Sequence, residues 1–129
     1  MNIDIFRDLG LNNTIKNNSN AKTENIICEY KIDANSSEIK KGELVSFLNN
    51  YIKKCSKDDT ANAIALSSGN TDESIKCQIT GIVKLEGLVA GTVYYNENGT
   101  LSINKTDKII GKALDNEELL LINGVFINV

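Results

Sequence analysis

The chain has 129 residues, 41% of them hydrophobic and 24% charged, and its formal net charge is −3. This length suits one domain with a modest core. The acidic balance, with a pI near 5.0, argues against a nucleic-acid binder that depends on surplus cations for phosphate contacts. No apolar run approaches the roughly 20 residues needed to cross a bilayer. The opening MNIDIFRDLG is acidic and contains no continuous apolar stretch, so we expect neither a secretory signal nor a membrane partner.

Histidine is absent, which removes the usual general base, the usual neutral metal ligand and every Cys-His or Ser-His pair. The three cysteines, Cys28, Cys55 and Cys77, are widely spaced and form no CxxC motif. This pattern is typical of reduced thiols in a protein made in the cytoplasm. Cys28 and Cys77 alternate with apolar neighbours and are predicted to be buried, whereas Cys55 lies among lysines and is the candidate reactive thiol. We expect no enzymatic activity, no cofactor and no metal site.

Residues 1–23 are predicted to form an extended N-terminal arm. Five apolar residues lie close together at its start, and an Asn-rich polar stretch, NNTIKNNSNAKT, follows them. Two interpretations remain open, a disordered tail or an anchor that orders on a partner or a neighbouring copy. The second interpretation makes the five apolar residues candidate partner contacts: Ile3, Ile5, Phe6, Leu9 and Leu11.

Residues 24–129 are predicted to form a β-domain, because short apolar runs alternate with turn signals at about 8–12-residue intervals. The architecture predicted from this spacing is all-β, a small antiparallel β-barrel or sandwich. The predicted strands are Ile26–Ile32, Glu43–Leu48, Tyr51–Lys53, Ala63–Ser67, Ser74–Glu86, Thr92–Asn96, Thr100–Asn104, Ile109–Leu114, Leu119–Ile122 and Val125–Val129.

The run SIKCQITGIVKLE, residues 74–86, is the strongest structural signal in the chain. Its odd positions are apolar or glycine, and its even positions are polar except for Ile82. Such alternation is typical of a strand with one buried face. The run is longer than the usual five or six residues of a strand. We therefore expect it to bend or change partner near Gly81, where a missing Cβ tolerates a bulge.

Asn-Gly pairs at Asn98-Gly99 and Asn123-Gly124 predict tight hairpins, because both residues accept the type I′ turn. LLLI, residues 119–122, does not alternate and is predicted to be buried on both faces; a helix over 117–122 is the alternative, but it would be very short. Tyr94 and Tyr95 point to opposite faces of a strand. Tyr94 is the candidate partner contact, and a ring that merely covers a strand edge is the alternative interpretation.

Four segments in order resemble tailed-bacteriophage virion proteins, above all capsid decoration and head-fibre proteins. They are KGELVSFLNNYIKK, ANAIALSSGN, KCQITGIVKLEGLVAGTVYYNENGTLSIN and KIIGKALDNEELLLI. The resemblance covers about residues 40–122 and leaves the arm outside. A proline is usual before the GT-YY hairpin, and Ala90 stands there in this chain.

This resemblance implies a non-enzymatic protein that is synthesised in the host cytoplasm and located on the virion capsid surface. Its partner would be the major capsid protein, whose shell it would reinforce as a homo-oligomer, often a trimer. A second hypothesis is a tail-fibre or baseplate module that binds a host-surface carbohydrate through an exposed aromatic side chain. A third, a small enzyme with Cys55 as nucleophile, lacks the histidine that would activate the thiol.

Overall fold

The structure, a computed structural model, describes residues 24–122, and this range contains strands and turns but no helix. The all-β prediction is therefore confirmed. The strands are β1 Ile26–Ile32, β2 Leu44–Leu48, β3 Tyr51–Lys54, β4 Ala63–Ala65, β5 Ser74–Lys84, β6 Val93–Glu97, β7 Thr100–Ser102, β8 Ile109–Ala113 and β9 Glu118–Leu121.

Five strands close into a small barrel, in the order β1-β3-β2-β4-β5, with β5 pairing back onto β1. The longest of these ladders joins β1 to β5 and places Cys28 opposite Cys77. The pairings are antiparallel except that of β1 with β3, which is parallel and sets Ile32 beside Ile52. The predicted small barrel is confirmed, and this one parallel pair is an exception to its antiparallel pattern. Because the barrel is closed, each of its five strands has a neighbouring strand on both sides.

The C-terminal part of β5 belongs to a second sheet, in which the strand order is β5-β9-β8-β6-β7. Up to Thr80, β5 pairs with β1 and β4; from Gly81 onward it pairs with β9. Gly81 has a φ of +100°, and a Cβ at this position would collide with Asn25. Only glycine fits both constraints. The predicted change of partner near Gly81 is confirmed.

Two apolar cores lie on the two sides of the barrel wall. The barrel interior contains Ile32, Ile39, Val45, Ile52, Ala63, Ala65, Ile75 and Cys77. The other core lies between the barrel wall and the second sheet and contains Leu44, Cys55, Ala61, Ile64, Val83, Leu88, Tyr94, Ile110, Ala113, Leu119 and Leu121. The odd positions of β5 supply both cores, since Ile75 and Cys77 face the barrel interior and Val83 faces the second core.

The predicted turn at Asn98-Gly99 is found, and both this turn and the β2–β3 turn contain residues with positive φ. The predicted turn at Asn123-Gly124 lies outside the described residues. Asn49 has a φ of +57°, and the Asn98-Gly99 pair has φ values of +55° and +90°. The β6–β7 turn also packs on the barrel, because Leu44 N–H donates to the Gly99 carbonyl at 2.9 Å. A Cβ on Gly99 would lie 2.5 Å from the Cys55 carbonyl oxygen. The Asn-Gly pair thus joins the two sheets as well as closing a hairpin.

The prediction for LLLI needs a correction. Residues 118–121 form a strand and not a helix, and burial alternates along it, with Leu119 and Leu121 buried and Leu120 half-buried. The strand is hydrogen-bonded on both edges, to β5 and to β8. The predicted hairpin partner, Val125–Val129, lies outside the described residues.

Candidate partner-binding surface

The β2–β3 hairpin ends in an apolar tip, which consists of Phe47, Leu48 and Tyr51. Asn49 and Asn50 form the turn, so Leu48 and Tyr51 are direct cross-strand partners on one face of the hairpin. Their side chains are 39% and 41% exposed. Large apolar side chains that flank a turn on a barrel's outer face have few neighbours to pack against. The pair is therefore available to another surface.

Phe47 lies on the opposite face of the same hairpin. Its cross-strand partner Ile52 is buried in the barrel interior. The Phe47 ring packs on the Tyr30 ring, with centroids 5.1 Å apart and planes tilted by 50°, a geometry that aromatic pairs favour. Phe47 thereby covers the barrel end while remaining 37% exposed. The tip therefore presents apolar surface on two sides.

One hydrogen bond and one ion pair hold the hairpin in position. The Phe47 N–H donates to Asn62 Oδ1 at 2.9 Å. At the base of the hairpin, Lys54 Nζ lies 3.0 Å from Glu43 Oε2. Because the hairpin forms part of a closed barrel, its backbone needs little ordering when a partner binds, which lowers the entropic cost of association.

The second candidate surface is a groove of about 620 Å³ at the junction of the two sheets. We call it the inter-sheet groove. Its lining consists of Lys41, Gly42, Lys84, Leu85, Glu86, Gly87, Leu88, Tyr94, Leu101 and Glu117. Leucines and one aromatic ring form its apolar part, and two lysines and two glutamates supply the charges. Its volume falls within the roughly 300–1,000 Å³ typical of ligand pockets.

The structure corrects the interpretation of Tyr94 as an exposed contact. Its side chain is only 7% exposed and belongs to the core between the sheets. The Tyr94 hydroxyl accepts a hydrogen bond from Val89 N–H at 3.0 Å. Tyr95, on the opposite face, is half-buried. Alternation in the sequence predicts that the two rings lie on opposite faces of the strand, but it does not predict which of them faces the core.

The other predicted contact residues, Ile3, Ile5, Phe6, Leu9 and Leu11, lie outside the described residues, so their role stays a prediction. The hairpin tip was not singled out in the sequence, although a signal was present. Leu48 and Tyr51 flank the Asn49-Asn50 turn symmetrically, and two-residue hairpins place such flanking residues opposite each other. Their exposure depends on the barrel around them and is not encoded locally.

Two of the three cysteines, Cys55 and Cys77, are buried, and burial disfavours their thiolate form. Cys55 is buried, its Sγ lies 3.1 Å from Ser46 Oγ, and burial raises the pKa of its thiol. The raised pKa disfavours the alternative in which Cys55 is an activated thiol, because the lysines near it do not offset its desolvation. Burial also raises the pKa of Cys77 to about 12. Cys77 is fully buried as predicted, whereas Cys28 is only half-buried.

Within residues 24–122, the structure brings together no group of three or more cysteine, aspartate or glutamate side chains that could hold a metal ion. In the same range, no helix is long and apolar enough to cross a membrane. Comparisons with protein families, with curated proteins and with solved structures found no match to this chain.

Proposed function

We propose that this protein is a non-enzymatic structural protein of a phage virion, a decoration protein that binds the outer surface of the major capsid shell and stabilises it. The resemblance of residues 40–122 to decoration and head-fibre proteins supports the shell as the partner. The observation that carries the proposal is the apolar hairpin tip, which offers exposed Phe47, Leu48 and Tyr51 on a closed barrel.

The energetics of such a tip suit a partner that repeats many times. Burying a leucine or an aromatic side chain fully contributes about 1.5–3 kcal/mol, and these side chains are already more than half buried. One tip therefore binds weakly. A homo-oligomer that engages several copies of the capsid protein at once gains avidity without any new kind of contact.

Co-sedimentation with expanded, undecorated capsids tests the proposal. The wild-type protein is expected to pellet with the capsids. Replacing both tip residues, Leu48→Ser with Tyr51→Ser, is expected to weaken binding at least tenfold. Because both side chains are partly buried, the variant should also unfold at a somewhat lower temperature, so binding is compared at a temperature where both proteins are folded. The matched control is Ile103→Ser, which removes an apolar side chain that is 60% exposed on another part of the surface.

Failure of the wild-type protein to bind capsids would count directly against the proposal. If the protein instead sediments with purified host cell-wall carbohydrate, the tail-fibre or baseplate hypothesis replaces it. Equal losses in the tip variant and in Ile103→Ser would show that the tip is not the contact.

A further inference from the structure

We propose that the inter-sheet groove binds the apolar segment Ile3–Leu11 of its own chain. This inference goes beyond the proposed function, because it assigns the arm to a site on the β-domain and not to the shell. It depends on the chemistry of the groove, on the direction in which β1 leads the chain, and on the length of the intervening sequence.

The groove suits a short amphipathic peptide. Leu85 and Leu101 are half-buried and Leu88 and Tyr94 are buried, so they offer an apolar floor. The charged lining residues Lys41, Lys84, Glu86 and Glu117 are exposed. The segment Ile3–Leu11 matches this arrangement, since it combines five apolar side chains with both signs of charge: Asp4, Arg7 and Asp8. A peptide segment of this kind binds through apolar anchors, and charges at the margin set its orientation.

Followed back toward the N-terminus, the first described residues of the chain run alongside β5 in the direction of this groove. β1 runs antiparallel to β5, with Ile26 opposite Thr80. Moving back from Ile26 therefore means moving forward along β5. Glu24 and Asn25 continue this path, because the Glu24 carbonyl accepts from Thr80 Oγ1 at 3.1 Å and Asn25 Oδ1 accepts from Ile82 N–H at 3.0 Å. The next residues in that direction line the groove: Lys84 at the end of β5 and residues 85–88, which follow the strand.

The intervening chain is long enough to make the connection. From Thr80 to Leu88 is at most about 26 Å at roughly 3.3 Å per residue. The twelve residues between Leu11 and Glu24 extend to about 40 Å. A tether of this length gives an effective local concentration in the millimolar range. Binding within one chain therefore prevails over exchange between copies at ordinary protein concentrations.

The C-terminal apolar segment, Val125–Val129, is a poorer fit to the same groove. β9 runs antiparallel to β5, with Glu118 opposite Lys84 and Leu121 opposite Gly81. The chain thus moves away from the groove along β9. The strand direction favours the N-terminal segment as the occupant.

Methyl NMR on the full-length protein tests this assignment through the Phe6 ring, which shifts nearby methyl resonances. Phe6→Leu keeps the segment apolar but removes the ring. We expect the methyl resonances of Leu85, Leu88 and Leu101 to move, and those of Ile32 and Ile52 in the barrel interior to stay in place. Phe47→Leu is the matched control, since it removes a ring at the hairpin tip and should leave the groove resonances unchanged.

Unmoved groove resonances in Phe6→Leu would overturn the proposal. A response to Phe126→Leu in its place would assign the groove to the C-terminal segment. Groove shifts that appear only at high protein concentration, with a matching rise in molecular mass by light scattering, would mean exchange between copies and would contradict binding within one chain. Capsid co-sedimentation of the same Phe6→Leu variant separates this result from the proposed function, which depends on the hairpin tip.

Discussion

Burial of the Cys77 thiol makes the stability of the folded protein depend on pH. The side chain is fully buried in the barrel interior, opposite Cys28 on β1. Desolvation is the main cause of its raised pKa, and the Cys28 thiol adds to it. At neutral pH the thiol is a small apolar side chain that packs without needing a charge partner.

This raised pKa predicts a loss of stability in alkaline solution. Below the ordinary thiol pKa of 9.0, Cys77 is protonated in both the folded and the unfolded chain and has no pH effect. Between about 9 and 12 the unfolded chain loses this proton and the folded protein keeps it, so the free energy of unfolding falls as pH rises, by up to about 1.4 kcal/mol per pH unit. Urea unfolding at a series of pH values measures the slope.

Cys77→Ala is the control for that slope. It removes the titrating group, so the variant should be less stable at neutral pH but should lose less stability between pH 9 and pH 12 than the wild type does. Equal slopes in the two proteins would show that Cys77 is not the source of the alkaline sensitivity.

Among the elements, β5 is held by one of its own side chains at the point where it changes partner, and we call this pair of hydrogen bonds the brace. Gln78 is 3% exposed, and its Nε2 donates to the carbonyls of Thr80 and Ile82, both at 3.0 Å. One side chain therefore holds the backbone on both sides of Gly81. Alternation in the sequence predicts that Gln78 lies on the solvent-exposed face of the strand. In the structure it is buried, at the point where β5 passes from one sheet to the other.

Gln78→Leu is expected to destabilise the protein by about 1–3 kcal/mol. The substitution puts an apolar side chain of similar size in place of the amide, so both carbonyls lose this donor. Urea denaturation at neutral pH measures the change. Lys76→Leu, on an exposed position of the same strand, is the control and should change stability by less than about 0.5 kcal/mol. Equal effects of the two substitutions would show that the brace contributes nothing.

At this scale, local sequence predicted much of the secondary structure. The period-two pattern located Ile26–Ile32 as observed, and Asn49, Asn98 and Gly99 marked turns because their backbones adopt positive φ. What the sequence could not supply was the pairing of distant strands. The parallel contact of β1 with β3 and the double pairing of β9 depend on the closed topology, which no local period encodes.

In the whole molecule, the two sheets share β5 and the core on the outer side of the barrel wall. Leu44 and Ile64 from the barrel pack in that core with Leu119 from the second sheet. The outer apolar side of the barrel wall and the apolar face of the second sheet cover each other in this core, so neither of these two faces is buried alone. We therefore expect the β-domain to unfold in a single cooperative step.

Leu119→Ala tests this cooperativity. Leu119 is fully buried, so the cavity should lower the free energy of unfolding by about 2–5 kcal/mol. The labelling of Cys77, which lies in the other core, should shift to lower urea by the same amount as the loss of circular dichroism. A Cys77 thiol that stays protected after the second sheet has unfolded would show that the two sheets unfold independently.

The candidate surface was less predictable than the fold. Tyr94 was selected by residue type, but packing between the sheets buries it. The hairpin tip is recognisable only once the barrel shows that Leu48 and Tyr51 have no covering element among the described residues. Burial is a property of the folded whole, so an exposed contact is harder to predict from the sequence than a buried strand.

The most direct test of the central claim, that the hairpin tip is the contact with the shell, is an electron cryomicroscopy map of capsids carrying this protein. We predict that density for Phe47, Leu48 and Tyr51 lies against the major capsid protein. A map in which the barrel docks through another face, with the Asn49-Asn50 turn pointing into solvent, would contradict the account.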